Sequence, residues 1–423
     1  MIVPSIDLMN GSAVQLVGGK ELEIDAGDPR PIADRFGRVG EIAVIDLDAA
    51  LGKGSNAAIV EELIERAPCR VGGGIRDVGS AIKWLDRGAR SVILGTAATP
   101  DVLRELPRQR VIAALDARNG EVVDHGWTRG TGRSIEDRIG ELAEHVGGFL
   151  ITFVEREGRL GGLPMDRVRA LIERAGDARV TVAGGVRTPE DVAEADAAGA
   201  DAQVGMALYT GAFDLADALA ACLTSDRADG LWPTVVADEH GRTLGLAYSN
   251  LKSLRTAIND GVGAYHSRSR KGLWIKGKTS GDTQRLIRID TDCDRDALRL
   301  TVSQAGSGFC HLGTRTCFGS SSGLAALDQT LQKRKHSAEP GSYTQRLFTD
   351  TDLLASKLRE EAGELALSES GEHAAEEAAD LIYFALVAAH AKGATLGDVE
   401  RVLDRRSLKV TRRPGNAKPE VQP

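Results

Sequence analysis

Apolar residues in the first half of the chain come in short unbroken runs separated by amphipathic stretches. Ile42-Ala43-Val44-Ile45, Ser91-Val92-Ile93-Leu94 and Val111-Ile112-Ala113-Ala114-Leu115 have strand length and would be buried on both faces of a parallel sheet. Between them, Asn56 to Arg66 and Val78 to Arg87 carry apolar residues at helical spacing. That alternation predicts parallel βα units. Over residues 232–319 the pattern turns mostly β, as in Leu273-Trp274-Ile275-Lys276, with one short helix at Leu251 to Asn259. From Tyr343 to about Arg405 the period is helical throughout. Residues 320–341 mix Gly, Ser, Lys and Pro with one short helical run and read as a connector. The tail after Lys409, with Pro414, Gly415 and Pro419, reads as disordered.

The first part repeats itself at half length. VGGGIR at 71–76 recurs as VAGGVR at 182–187, an offset of 111, and VILGTAA at 92–98 recurs loosely as AQVGMAL at 202–208, an offset of 110. Asp7 matches Asp116, and Asp48 matches Glu157, both at an offset of 109. Two chance glycine pairs would explain one such match but not four at nearly one offset. Four βα units repeated twice make eight, which predicts a closed (β/α)8 barrel over residues 1–223. The chain is therefore expected to be multidomain: the barrel, a mainly-β region at 232–319, and an all-α region at 342–405.

A length of 423 residues allows two to four domains, each able to bury its own core. The formal net charge of -8 argues against nucleic acid or an anionic membrane as partner. With no run of about 18 apolar residues and no leader pattern, a cytoplasmic location is expected. Five cysteines in such a chain do not make a disulfide framework. Cys69 and Cys222 sit singly in apolar contexts and read as buried hydrophobes.

Cys293, Cys310 and Cys317 differ, falling within 25 residues at spacings of 17 and 7. Three thiolates leave one position of a tetrahedral zinc ion for water, the layout of a catalytic site. Asp292, Asp294 and Asp296 alternate around Cys293; in an extended segment they share one face and supply hard oxygen ligands suited to magnesium. The competing reading is buried thiols beside a solvated acidic loop. TVVADEHGRTLGLAYSN, YHSRSRKGLWIKGKTSGDTQ, DCDRDALRL and GFCHLGTRTCFG follow in this order. Together they closely resemble phosphoribosyl-AMP cyclohydrolase. The resemblance implies zinc at Cys293, Cys310 and Cys317, magnesium at Asp292, Asp294 and Asp296, and a dimer with the zinc site at its interface. A zinc-activated water would then open the purine ring. His311 is a candidate proton shuttle, and Arg268 and Arg270 are candidate phosphate contacts. Where the family reads KGETSG, this chain has Lys278 in place of the glutamate.

In the helical region Glu361 and Glu364 are three apart, as are Glu377 and Asp380, so each pair lies on one helical face. The apolar stripes Leu354, Leu358, Leu365 and Leu381, Phe384, Ala388 run through the same faces, which places the carboxylates in a core stripe. Carboxylates there need neutralising, and magnesium is the usual means. Glu-x-x-Glu, twelve residues, then Glu-x-x-Asp is similar to the all-α nucleotide pyrophosphohydrolases. With SYTQRLF before it and KLREEAGE within it, the region resembles phosphoribosyl-ATP pyrophosphohydrolase. Lys357 and Arg346 are candidate phosphate contacts. A plain dimerisation bundle is the bland alternative.

PSIDLMNGSAVQL, VGGGIR, ILGTAA, LDARNGEVVDHGW and VGMALY resemble the barrel isomerase that follows these two steps in histidine biosynthesis. The resemblance implies a bis-phosphorylated substrate held by duplicated glycine-rich loops at Gly73, Gly74, Gly95, Thr96, Gly184, Gly185 and Gly205. Asp7 is the candidate base, Asp116 its repeat-related partner, and Glu157 stands where the family has a catalytic aspartate. Gln15, Phe153 and Met206 also depart from the family pattern. Two readings stay open for the barrel, a working isomerase and a catalytically degenerate scaffold. The whole chain reads as a fused histidine-biosynthesis enzyme acting on small phosphoribosyl nucleotides, with zinc and magnesium as cofactors, and as a homodimer or larger homo-oligomer.

Overall fold

The apolar runs form strands because only a surrounded strand can bury both of its faces. The computed structural model describes residues 1–412 apart from His125, Gly126, Thr128, Ser320, Ser321 and residues 338–340. It divides into two compact units. The first comprises Met1–Ala237, Leu246–Gly306 and the segment from Leu408 onward; the second comprises Asp238–Gly245 and Ser307–Ser407.

In the first unit, parallel strands Ile2–Met9, Ile42–Asp46, Cys69–Gly72, Ser91–Leu94, Val111–Arg118, Gly148–Phe153, Arg179–Ala183 and Ala200–Val204 each pair with the next. Ile2, Val3 and Pro4 pair with Ala202, Gln203 and Val204, which closes the barrel. Ile93, Ile112, Leu150 and Ala183 meet in one buried cluster, with Ile45 and Ala114 against it. The half-length repeat is structural. Hairpins Ser12–Val17/Glu21–Gly27 and Glu121–Asp124/Arg129–Ser134 follow the first and fifth strands. Equivalent helices Val78–Asp86 and Pro189–Ala197 both start with a reciprocal capping box, at Asp77 and at Thr188. Cys69 and Cys222 are buried, as expected.

The end of the barrel where strands begin is closed by a charge network. Buried Arg70 donates to Glu41 at 2.6 Å, to the Thr181 hydroxyl at 2.9 Å and to Asp201 at 3.2 Å. A guanidinium is tolerated there because each of its edges is paired. Also in this unit, strands Thr243–Ser249, Trp232–Asp238, Leu298–Gln304 and Gln284–Thr291 form a sheet in that order, the tip of the first hairpin being counted in the second unit. The helix Leu251–Asp260 is fastened to the barrel: Arg38 donates to the carbonyls of Ile258 and Asn259, and Arg255 to Asp217 at 2.9 Å.

Two expectations fail in this unit. The DCDRD segment is not extended. It is the turn between Gln284–Thr291 and Leu298–Gln304, closed by an Asp292 N–H to Ala297 carbonyl bond, with Arg295 in the left-handed region at φ 65°. The tail is ordered past Lys409, since Asp86 Oδ1 accepts Val410 N–H at 2.7 Å and Thr411 N–H at 3.0 Å. Pro414, Gly415 and Pro419 lie outside the described residues.

Among the described residues, the second unit is helical apart from the hairpin tip Asp238–Gly245 and the loop Ser307–Gly319. Its described helices are Gly323–Ser337, Tyr343–Thr349, Thr351–Leu367, Gly371–Ala391 and Leu396–Ser407. The first of these corrects the connector reading. Leu331 of that helix is fully buried with Leu347, Leu354, Phe384, Leu386, Val387 and Leu396. A buried pair, His390 Nε2 to Asp328 Oδ1 at 2.8 Å, ties it to Gly371–Ala391, and the same oxygen accepts Leu396 N–H at 2.8 Å. Removing one partner strands the other's polar atoms in the core. His390→Leu is expected to cost the helical unit about 3 kcal/mol. Hydrogen exchange over residues 323–407 of the full chain reads this, and unchanged protection would refute it.

Candidate active sites

The barrel acids stand at the strand ends that carry catalysis in folds of this kind. Asp7 is in the first strand, Asp116 in the fifth, and Glu157 just past the sixth. The Ser5 hydroxyl donates to Asp7 at 3.0 Å, and the Thr152 and Trp127 side chains hydrogen-bond Asp116. Asp7, Glu157, Ser5, Gly184, Gly185 and Gly205 line one cavity. Burial lifts all three acids. Asp7 is pushed up to about 6 against the opposing Ser5 bond, and Asp116 is raised also. Glu157 is pushed up to about 8, by burial first and then by the negative charges of Asp7 and Asp116. Asp7 thus titrates below Glu157, the ordering that lets one act as a base while the other still carries a proton.

The repeat is loaded asymmetrically. Asp48, the counterpart of Glu157, is buried and accepts Asn10 N–H at 2.6 Å and the Asn56 amide at 3.0 Å. It is spent on structure, whereas Glu157 faces the cavity. The glycine loops are cradles that a side chain would fill. A Cβ at Gly73 would stand 2.2 Å from the Asp46 carbonyl oxygen. One at Gly184 would stand 2.6 Å from that of Phe153. Gly95 and Thr96 are exposed after the fourth strand, and Gly74 and Gly185 continue the two cradles. Of the departures from the family pattern, Phe153 is buried core, Gln15 packs under Gly205 and bonds the Val14 carbonyl at 2.8 Å, and Met206 lines the cavity.

On the sheet hairpin, Asp292, Asp294 and Asp296 bring carboxylate oxygens within 4.8 Å of one another. Asp294 and Asp292 raise the pKa of Asp296, with Asp294 the larger cause. Cys293 is exposed on this turn in the first unit. Cys310 and Cys317 lie in the second. Cys310 N–H binds the Thr314 carbonyl at 3.2 Å, and Cys317 N–H binds that of Leu244 at 2.8 Å. Gly245 lets the loop approach, since a Cβ there would meet the Phe309 ring at 2.3 Å and Cys317 Sγ at 3.2 Å. Hydrogen bonds from the Leu312 backbone, the Thr314 side chain and Cys317 hold the Cys310 thiol below its usual range, which favours the thiolate. His311 is exposed beside it. Arg268 stacks on Tyr248 at 4.0 Å, with Arg227 at 4.8 Å; Arg270 is exposed on the same turn. Lys278 is exposed.

The helical carboxylates are only partly where the stripe argument put them. Glu361 is buried and Glu377 half-buried, but Glu364 and Asp380 are exposed. Glu361 and Glu364 cluster with Glu360 within 4.8 Å, and Glu364 hydrogen-bonds Glu377. Burial, then Glu364, raises the pKa of Glu377, whose buried Oε2 lacks a partner among the described residues. Lys357 bonds Glu360 at 2.7 Å and Glu361 at 2.8 Å. Glu360 was legible in the run KLREEAGE but lies off the spacing of three. Asp380 shares the helix of Glu377 one turn on. An oxygen-only set with an orphaned buried oxygen suits a divalent cation.

A closed barrel with acids at its strand ends, followed by thiol and carboxylate clusters, defines a multidomain enzyme. Residues 1–214 match the family described as Histidine biosynthesis protein, 245–319 that described as Phosphoribosyl-AMP cyclohydrolase, and 324–407 Phosphoribosyl-ATP pyrophosphohydrolase. The chain belongs to the histidine biosynthesis protein family. A histidine biosynthesis trifunctional protein of Komagataella pastoris is 55% identical over 207 residues, 49% of this chain and 24% of its own length. A histidine biosynthesis bifunctional protein of Schizosaccharomyces pombe is 50% identical over 204 residues, 48% of this chain and 49% of its own length. A phosphoribosyl imidazole-4-carboxamide isomerase of Haloarcula marismortui is 42% identical over 229 residues, 51% of this chain and 93% of its own length. The chain thus spans about a quarter of the trifunctional relative and about half of the bifunctional one. Both families matched after the barrel use metal ions. The scaffold reading of the barrel is not favoured, since the isomerase likeness covers nearly the whole relative. Among the described residues, no helix is long and apolar enough to cross a membrane.

Glu157 also carries a stability consequence. Its carboxyl is protonated when folded and ionised when unfolded between its ordinary 4.5 and about 8, so the unfolded state binds fewer protons there. Stability contributed by this site therefore falls as pH rises through that window. Glu157→Gln is expected to melt like wild type near pH 4 and to gain a few kcal/mol, order of magnitude, by pH 8. Thermal scans at the two pH values decide it, and equal gaps at both would refute it.

Proposed function

We propose that the chain carries out three linked steps of histidine biosynthesis on phosphoribosyl nucleotides. The helical region hydrolyses phosphoribosyl-ATP to phosphoribosyl-AMP and pyrophosphate. The cysteine-bearing region opens the purine ring, and the barrel isomerises the bis-phosphorylated product. The observation that carries this reading is the ordered match of three families on one chain, each over a cluster of chemically suited residues.

In the helical site, Glu361, Glu364, Glu377 and Asp380 would hold magnesium, with Lys357 and Arg346 oriented to the phosphates. In the cyclohydrolase, Cys310 and Cys317, with Cys293 as the third thiolate the family pattern supplies, would hold zinc, and Asp292, Asp294 and Asp296 magnesium. When bound, zinc supplies an activated water at neutral pH, and magnesium offsets phosphate charge. His311 passes the proton, while Arg268 and Arg270 receive the phosphate. Stacking on Tyr248 keeps Arg268 oriented.

In the barrel, the cradle at Gly184, Gly185 and Gly205 binds one phosphate through backbone N–H groups, and that at Gly73, Gly74, Gly95 and Thr96 binds the other. The reacting sugar then spans the acids between them. Glu157 protonates the ring oxygen as the C1–O bond breaks, Asp7 takes the proton from C2, and the enol so formed passes to the ketone as its hydroxyl proton leaves and C1 gains one, with the charge of Asp116 acting on Glu157.

Two measurements test this. Isomerase kcat/KM is expected to rise through about pH 6 as Asp7 ionises and to fall above about pH 8 as Glu157 loses its proton. A flat profile, or no turnover of the bis-phosphate, would sink the assignment. Given phosphoribosyl-ATP, Cys310→Ser should accumulate phosphoribosyl-AMP. Glu361→Gln should leave phosphoribosyl-ATP unconsumed, with losses of at least a hundredfold, on the order expected for a missing metal ligand. Product analysis showing both variants active would refute it.

A further inference from the structure

The turn bearing Asp292, Asp294 and Asp296 is held from outside its own hairpin. Arg295 sits between two of these carboxylates in the left-handed region, a conformation a long side chain keeps only where its surroundings hold it. Its guanidinium is ion-paired with Asp196, a buried side chain in the last turn of the barrel helix Pro189–Ala197. Its carbonyl accepts Thr224 N–H at 2.9 Å, and the Thr224 hydroxyl reaches the Asp294 carbonyl at 3.4 Å. Asp292 Oδ1 in turn accepts Ala297 N–H at 3.1 Å. The backbone between the carboxylates is therefore tied to the barrel and to the segment that leaves it. Asp196 also accepts a hydrogen bond from the Met1 nitrogen at 2.5 Å.

Three like charges this close repel, and a free turn would open until a cation drew it together. A turn already held at the right spacing loses less freedom on binding and takes up the ion more tightly. We propose that the Arg295–Asp196 pair is a positioning device by which the barrel sets the divalent-cation affinity of the cyclohydrolase turn. The barrel would then serve the neighbouring site mechanically as well as carrying its own. This inference rests on the reading of the three aspartates as a cation site.

The test titrates the full-length chain with Mn2+, following free Mn2+ by electron paramagnetic resonance. An Asp292→Asn/Asp294→Asn double variant shows which binding belongs to the turn. Arg295→Ala is expected to weaken that binding about tenfold and to speed hydrogen exchange over 290–298, leaving other Mn2+ sites and pyrophosphate release unchanged. Arg295→Lys, which keeps the charge, should recover most of the affinity. Asp196→Asn, which breaks the pair from the barrel side, should reproduce the loss. If the double variant loses Mn2+ while Arg295→Ala binds like wild type, the positioning role is wrong and the cation site stands. If the double variant binds as much Mn2+ as wild type, the cation reading fails and the inference with it.

Discussion

Crowded negative charge is the constraint on which this structure turns. Three clusters of carboxyls are gathered at Asp7/Asp116/Glu157, Asp292/Asp294/Asp296 and Glu360/Glu361/Glu364/Glu377. Each resists assembly, and each is held by a different means. In the barrel, burial shifts the balance toward protonation, so one acid keeps its proton and repulsion is relieved without any cation. On the hairpin turn, the backbone between the carboxylates is held from the barrel side, where Arg295 pairs with Asp196. On the helices, Lys357 bridges two of the glutamates, while Glu377 keeps a buried oxygen unsatisfied. The fold brings these groups together against their own electrostatics.

The two ends of the barrel share the work. The C-terminal ends of the strands and the loops after them carry the acids and the glycine cradles. Segments before the strands carry Arg38 and Asp196, which fasten the helix Leu251–Asp260 and the aspartate turn. The helix Leu251–Asp260 and the aspartate turn are thus both fastened to segments that precede barrel strands.

Much of this was legible in the sequence because it obeys local rules. The offset of 109 to 111 survives as paired hairpins, paired capping boxes and paired glycine loops, since each half-barrel meets the same steric demands. Asp7, Asp116 and Glu157 could be found from their places at strand ends. What escaped depends on contacts far apart in the chain. Nothing in DCDRD shows that Asp292 will bond Ala297 and force a turn rather than continue the strand. The helix Gly323–Ser337 is weakly amphipathic and looks like linker until Asp328 finds His390, 62 residues on. Glu364 and Asp380 keep stripe spacing yet stay exposed, because spacing tells which face a residue takes and not whether anything covers that face.

The pairing of Ile2, Val3 and Pro4 with Ala202, Gln203 and Val204 has a consequence in time. The first strand leaves the ribosome with one neighbour to come soon and the other some two hundred residues away. Until the eighth strand emerges, its outer edge is unpaired and the sheet is an open arc. Closing it is a late event of high contact order, and the exposed edges invite pairing with other nascent chains meanwhile. Asp196 lies just before that last strand and well ahead of Arg295 in the chain, so the barrel side of this pair is synthesised before the turn that uses it.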